Sequence, residues 1–371
     1  MRAPIPQVKV EKRAEPSKGV TLAVLVASLA LALFVVAFVF WGYGVNPLDV
    51  YSAIFIGSFG SLFGWSWTIT KAIPLLLCGV GLAVAFKALF WNIGAEGQLL
   101  MGAVGASGVA LYLIPDAPPI LLIPTMFAMG FLCGGAWGLI PAILKAKLKA
   151  NEVITTLMMN YIAGYFVNYL VIWPGPWNGP GEYSFPYSSL FTSSAWLPYI
   201  PGTSIHYPTL VLGLALAIFM YVLVRRTKLG YEIRVIGENP EAARYAGMSY
   251  FKTVMLVMLM SGGIAGLAGV GEVAGIHHRL RIAMGVSPGY GYTAIIVAWL
   301  GRLNPLGVIL SSLLFGGLLV GGDKIQVTFG LPVATISIFN GIILFFMLGG
   351  ELLMHYKVVW RRPQRGGERR E

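Results

Sequence analysis

Residues 72–114 read AIPLLLCGVGLAVAFKALFWNIGAEGQLLMGAVGASGVALYLI and are apolar along almost their whole length. A helix rises about 1.5 Å per residue, so a hydrocarbon core of about 30 Å requires roughly 20 residues. The segment has about twice that length, and its polar residues gather near the middle. It therefore predicts two consecutive membrane-spanning helices, 72–90 and 93–114, joined by a short turn.

The rest of the chain is similarly apolar. Of the 371 residues, 57% are apolar and only 11% are charged, against about a quarter in a soluble domain. This composition excludes a disordered chain, a nucleic-acid-binding protein and an ordinary cytosolic enzyme, and it predicts an all-α, polytopic membrane protein with about ten transmembrane helices. The eight other predicted spans are 19–41, 119–144, 152–173, 207–224, 253–275, 289–301, 305–322 and 331–350.

Two stretches complicate this count. The span at 289–301 is short and opens with glycines, which is typical of a broken helix. Residues 45–70 contain no lysine or arginine and are compatible with an interfacial or re-entrant segment.

The distribution of positive charge predicts the orientation. The net charge is +11, and ten spans with the N-terminus inside place all but four of the 26 lysines and arginines on one side. Positive charge collects in cytoplasmic loops, so both termini are predicted to be cytoplasmic. The predicted organisation is a basic tail (1–18), a transmembrane domain (19–350) with an outer loop (174–206) and a cytoplasmic loop (225–252), and a second basic tail (351–371).

The cytoplasmic loop carries a helix signature of its own. Asn239 is a good N-cap, Pro240 suits the first helical position, Glu241 suits the positive helix end and Gly247 suits the stop. We expect a helix of roughly two turns over 240–246. A solvated charged loop is the alternative interpretation.

Polar residues inside apolar spans are the candidates for function, because a central charge costs about 2.5–3.5 kcal/mol. Two interpretations remain open for Glu96 and Asn160, namely a polar pathway and hydrogen bonding between helices. Glu152, behind the plausible N-cap Asn151, is better explained as a first-turn partner of the helix dipole. The predicted pathway residues are Asn92, Glu96, Gln98, Asn160, Tyr290 and Tyr292.

Signatures of enzymes are missing from the sequence. It contains no Walker A loop, no His-Glu-x-x-His and no nucleophile motif, so we predict no catalytic residue, no metal site and no cofactor. Cys78 and Cys133 lie in apolar runs and are interpreted as packing residues. The glycines of SGGIAGLAGVGEVAG (261–275), Gly262 and Gly266 among them, predict close helix packing.

Five motifs together resemble the permease subunits of bacterial ABC importers for branched-chain amino acids, simple sugars and nucleosides. The resemblance covers roughly residues 70–350, and the finer pattern is most similar to the larger permease of nucleoside importers. The motifs are NIGAEGQLLMGA (92–103), NEVITTLMMNYIA (151–163), GYEIRVIGENPEAARYAGM (230–248), SGGIAGLAG (261–269) and GYGYTAIIVAWLGRLNPLG (289–307).

This resemblance implies a mechanism and a set of partners. A short cytoplasmic helix of such permeases sits in a groove of a separate ATPase, which hydrolyses ATP on behalf of the non-enzymatic permease. The implied partners are that ATPase, a second permease subunit, an extracytoplasmic substrate-binding lipoprotein and the lipid bilayer of the cell membrane. The residues that match the coupling segment are Gly237, Glu238, Glu241, Ala242, Ala243 and Gly247.

The sequence leaves alternatives open for the cargo and for the class of transport protein. A nucleoside offers a base that stacks on aromatic rings and a ribose that binds amide groups. A simple sugar or a branched-chain amino acid is the alternative cargo. A secondary transporter or channel is the alternative class, with Glu96 and Glu272 as its candidate ion or proton sites.

Overall fold

The computed structural model describes residues 7–12, 18–179 and 185–361. These residues form fourteen α-helices and two short strands. In chain order the elements are β1 (Gln7–Lys12), α1 (Lys18–Gly42), α2 (Pro47–Phe59), α3 (Leu62–Lys87), α4 (Ala95–Gly108), α5 (Pro119–Leu148), α6 (Glu152–Val171), α7 (Tyr207–Arg226), α8 (Lys228–Glu238), α9 (Pro240–Tyr245), α10 (Tyr250–Glu272), α11 (Ala283–Val286), α12 (Tyr290–Leu300), α13 (Pro305–Phe329), α14 (Val333–His355) and β2 (Tyr356–Arg361).

The all-α class is confirmed, and each of the ten predicted spans coincides with a helix. Among the described helices, five are long and apolar enough to cross a membrane, namely α3, α5, α7, α10 with its π-helical continuation, and α13. Several predicted bounds need correction, among them the end of α13, which continues past residue 322 to Phe329. Helix α3 begins ten residues before the predicted span, so the segment 45–70 is divided between α2 and the start of α3. Helix α14 continues past residue 350 to His355.

The described chain divides into two compact units, and the larger one is Ser52–Lys324. At its centre α10 packs on α3, α4 and α5, and α4 packs on α5, while α6, α7 and α12 lie around them. Helix α3 is buried along most of its length, as expected for a helix that is apolar on every side.

Glycines bring α4, α5 and α10 into backbone contact. A Cβ atom added at Gly102 would lie 2.3 Å from the Gly266 backbone, and one at Gly266 would lie 2.2 Å from the carbonyl oxygen of Gly130. The approach is possible only because no side chain separates the helices. The predicted tight packing of Gly262 and Gly266 is thereby confirmed.

We expect Gly266→Val to prevent this packing. The added side chain meets backbone atoms, which cannot move away as a flexible side chain would, so the free energy of unfolding should fall by about 3 kcal/mol or more. Gly341→Val is the control, since a Cβ atom there has no neighbour within 4 Å. Size-exclusion profiles of the two variants in mild detergent measure the difference, and equal monodisperse yields would contradict the prediction.

The smaller unit contains the described residues before Ser52 and after Lys324. Within it α1 packs on α14, and the rings of Phe40 and Phe339 lie 6.2 Å apart. Strands β1 and β2 pair antiparallel, from Gln7 opposite Arg361 to Lys12 opposite Tyr356. The segments 7–12 and 356–361 therefore lie side by side, a feature that the sequence did not predict.

The described parts of the loop 174–206 form an ordered layer on the end of α10. The Leu197 amide donates to the Ala274 carbonyl (3.0 Å), and the Phe191 amide donates to the His278 carbonyl (2.8 Å). Phe191 and Leu197 are buried. Glu182, the single acid of this loop, lies outside the described residues.

His206 closes this loop at the start of α7, with its ring buried against Gly275 and its Nδ1 bonded to the Thr209 hydroxyl. Burial lowers the pKa of His206 from 6.5 to about 4. As the pH falls, His206 therefore binds a proton near pH 6.5 in the unfolded chain but only near pH 4 in the folded chain. Stability is lost as the pH falls through that window.

We expect the melting temperature of the purified protein to fall between pH 7.5 and pH 5, and to fall less in His206→Asn, which retains a hydrogen-bonding group near Nδ1. Between pH 6.5 and pH 4, the free energy of unfolding falls by about 3 kcal/mol. Thermal unfolding followed by intrinsic fluorescence measures it. An equal fall in the wild type and the variant would exclude His206 as the cause.

Candidate functional site

Helix α6 carries two polar stripes with a spacing of four residues. One consists of Asn160, Gly164 and Asn168, and the other consists of Tyr161, Tyr165 and Tyr169. Residues four apart lie on one face of a helix, so the stripes run side by side. The three tyrosines are 55%, 73% and 65% exposed. Such a row of exposed hydroxyl groups on a membrane-embedded helix is typical of a polar pathway or a protein contact.

Asn160 joins three helices at the buried end of the first stripe. Its Nδ2 group donates to the Ile93 carbonyl (2.8 Å) and to the Tyr292 hydroxyl (3.1 Å). Its Oδ1 atom accepts from the Gly97 amide (2.8 Å). The side chain thus fixes α6 against the start of α4 and against α12.

Glu96 lies where two helices begin. It belongs to the first turn of α4, and its Oε2 atom accepts from the Gly291 amide (2.7 Å) in the first turn of α12. A Cβ atom at Gly291 would lie 2.2 Å from the Glu96 nitrogen, so only glycine permits this approach. Helix N-termini carry partial positive charge, and two of them here face one carboxyl group.

A cavity of about 500 Å³ opens beside these groups. Its size falls within the range of small-molecule sites. Aromatic rings, amides and hydroxyl groups surround it alongside apolar side chains, so it can offer both stacking surfaces and hydrogen bonds. Its polar and aromatic lining residues are Glu96, Asn160, Tyr161, Tyr165, Asn168, Ser287 and Tyr292.

The structure brings three of the six predicted pathway residues to this cavity, namely Glu96, Asn160 and Tyr292. The other three lie elsewhere. Asn92 and Gln98 are fully buried, and their amides pair with each other at 3.0 and 3.1 Å. Interhelical bonding explains these two side chains better than a pathway does. Tyr290 is buried beside the cavity and does not line it.

Tyr161, Tyr165 and Asn168 also line the cavity and are not among the residues predicted from the sequence. The signal was present in NYIAGYFVNY (160–169), where asparagine and tyrosine each recur at helical spacing. Glu152 lies in the first turn of α6, as expected for a partner of the helix dipole. Asn151 caps this helix, and its Oδ1 atom accepts from the Val153 amide (2.9 Å). Glu152 also pairs with Lys145 Nζ at 2.6 Å.

The second candidate site is the segment formed by α8 and α9. The short helix begins as predicted, with Asn239 Oδ1 accepting from the Glu241 and Ala242 amides at 3.0 and 3.1 Å. It ends at Tyr245, and Gly247 follows with a φ of +77°. Helix α8 was not predicted, and its buried residues Gly230, Ile233 and Ile236 lie on one face.

Two residues predicted to contact an ATPase point inward instead. Ala243 is 1% exposed. A Cβ atom at Gly237 would lie 1.9 Å from the Lys87 carbonyl oxygen, so Gly237 packs on the end of α3. The exposed surface of this segment includes Arg244 and the predicted residue Gly247. We call four of its exposed residues the coupling face, namely Glu238, Glu241, Ala242 and Tyr245, the last of which is 93% exposed.

The chain matches a family model described as "Branched-chain amino acid transport system / permease component" over residues 64–348. Among curated relatives, the glucose ABC transporter permease protein TsgB13 of Haloferax volcanii is 37% identical, covering 93% of this chain and 91% of the relative.

Two proteins of Bacillus subtilis are also similar. The guanosine ABC transporter permease protein NupP is 34% identical over 88% of this chain and 92% of its own length. A second guanosine ABC transporter permease protein, NupQ, is 26% identical over 67% of this chain and 78% of its own length.

Proposed function

The chain belongs to the branched-chain amino acid transport system / permease component family, and we propose that it forms the translocation pathway of an ABC importer for nucleosides. It is a multi-pass membrane protein and an ABC transporter permease of the sugar and nucleoside kind. A permease of this kind works with an ATPase and other components of the transporter. The cargo and the particular partners are the proposal.

The cavity beside α6 is the observation that carries the choice of a nucleoside. Tyr161, Tyr165 and Tyr292 supply aromatic rings, while Asn160 and Asn168 supply amides. A purine stacks on such rings, and ribose hydroxyl groups bond to amide and carboxyl oxygens. The guanosine permease at 34% identity supports the same cargo.

A simple sugar is the second candidate, favoured by the glucose permease at 37% identity. Deletion of the gene separates the two. We expect uptake of radiolabelled guanosine to be lost, because this subunit forms the pathway, while uptake of labelled glucose is unchanged. Re-expression of the wild-type chain is the control. Retained guanosine uptake together with lost glucose uptake would reassign the cargo.

The membrane orientation is part of the proposal. We assign both tails, 1–18 and 351–371, to the cytoplasm and the loop 174–206 to the outside. Two features support this orientation. Most of the positive charge falls on the assigned inner side. Strands β1 and β2 pair, which requires the segments 7–12 and 356–361 to lie on the same side of the membrane.

Three partners complete the importer. The coupling face is assigned to a separate ATPase, since Tyr245 and Ala242 offer an uncovered aromatic and a small residue for close docking. A second permease would close the open side of α6, and the two guanosine permeases of Bacillus subtilis support a heteromeric pair. An extracytoplasmic lipoprotein would deliver the cargo to the outer loop.

ATP-driven closure of the ATPase would move the coupling face and alternate the access of the pathway. The chain itself then supplies no energy. We expect the full chain alone in liposomes to carry no guanosine against a gradient, and the assembled complex with internal ATP to do so.

A further inference from the structure

A second cavity, of about 600 Å³, lies at the opposite end of α12 from the proposed pathway. It is bounded by the ends of α3, α7 and α12 and by the first turns of α13. These ends lie on the same side as α8, which follows α7 after a single residue. In the orientation proposed above, that side is cytoplasmic.

Three positive side chains line this cavity, namely Lys87, Arg225 and Arg302. None of its lining residues is acidic. None of the three takes part in an ion pair within the described part of the chain. The helix C-termini around them offset the charges only in part, because each terminus carries about half a negative charge. An anion would therefore be attracted to this end of the cavity.

The wall of the cavity is apolar on the side away from these charges. Leu310 and Leu314 lie one turn apart on α13, both are exposed, and both line the cavity. They lead from the charged end into the membrane-spanning part of α13. A cationic end at the membrane surface and an apolar wall along the hydrocarbon match a molecule with a charged headgroup and a long chain.

We propose that this cavity binds an anionic phospholipid of the cytoplasmic leaflet. The phosphate lies among Lys87, Arg225 and Arg302, and an acyl chain lies along Leu310 and Leu314. The leaflet assignment rests on the proposed orientation. Anionic lipids are attracted to cytoplasmic basic groups by about 1 kcal/mol for each lysine or arginine near the surface. A soluble phosphate ester shares the headgroup chemistry but gains nothing from the leucine wall.

The test uses the full chain in nanodiscs of phosphatidylcholine with increasing phosphatidylglycerol, and native mass spectrometry counts the bound lipid. We expect Arg225→Gln and Arg302→Gln each to weaken phosphatidylglycerol binding about fivefold, and the double variant to weaken it further. Arg226→Gln is the matched control, because Arg226 is a neighbouring exposed arginine outside the lining. It should leave binding at the wild-type level.

Two results would overturn the proposal. One is phosphatidylglycerol binding by the double variant that equals that of the wild type. The other is displacement of the lipid by glycerol 3-phosphate at comparable concentration, which would identify a site for a soluble anion. Replacing Leu310 and Leu314 with serine should weaken phosphatidylglycerol binding without affecting binding of glycerol 3-phosphate. Because binding is measured without transport, a wrong cargo assignment leaves these results unaffected.

Discussion

Ala242→Arg is expected to lower transport by the assembled importer at least tenfold while the permease remains folded in the membrane. Ala242 is exposed on the proposed coupling face. A long charged side chain there would prevent close contact with an ATPase and would bury an unpaired charge in the interface. Co-purification of the ATPase measures docking, and ATP-dependent guanosine uptake measures coupling. Ala242→Ser, which stays small, should behave as the wild type.

The adjacent residue provides a contrast. Ala243 is buried within the chain, so Ala243→Arg should reduce the yield of folded permease rather than uncouple a folded one. The same substitution at neighbouring positions is thus expected to impair coupling in one variant and folding in the other. Normal ATPase binding and normal uptake by Ala242→Arg would remove the coupling assignment of this face.

Gly164→Phe is expected to reduce guanosine uptake more than tenfold by filling the cavity beside α6. A Cβ atom at Gly164 has only ordinary contact with Ala283, at 3.7 Å, so the backbone tolerates a side chain. The ring would then extend into the cavity that Gly164 lines. Guanosine-dependent stimulation of ATP hydrolysis should be lost, while basal hydrolysis persists because the coupling face is untouched.

Gly341→Phe is the matched control for this substitution. Gly341 is an exposed glycine of α14 with no neighbour within 4 Å of an added Cβ atom, and it lies outside the cavity lining. It should retain full uptake. If Gly164→Phe is folded and transports guanosine at the wild-type rate, the cargo does not pass through this cavity.

Much of the fold was predictable because a membrane imposes length and composition on each helix. Apolar runs located the ten predicted spans, and the helices α3, α5, α7, α10 and α13 have the length of about 20 residues or more that a crossing helix needs. Local chemistry also predicted the short helix from Asn239, because an N-cap acts through backbone amides two and three residues away. Helix α8 was missed because it is short and amphipathic: charged residues alternate along the sequence with the buried Gly230, Ile233 and Ile236, so no continuous apolar run marks the helix.

The candidate pathway was only half predictable, for a different reason. Asn92 and Asn160 look alike in the sequence, as polar residues next to apolar runs. Asn92 bonds to Gln98 and to Ser261, which is 169 residues away, and it is fully buried. Asn160 reaches Tyr292 across 132 residues and lines a cavity. A partner at such a distance leaves no local trace.

Sequence alone determined that the chain is a bundle of membrane helices with a capped helix in one loop, because hydrophobic length and capping act over a few residues. The tertiary structure decided which side of each element faces a neighbour. Ala242 and Ala243 are identical side chains in one short helix, and only packing exposes the first and buries the second. Likewise Lys87, Arg225 and Arg302 are separate helix ends in the sequence, and they become one cationic cavity only when α3, α7 and α12 end side by side.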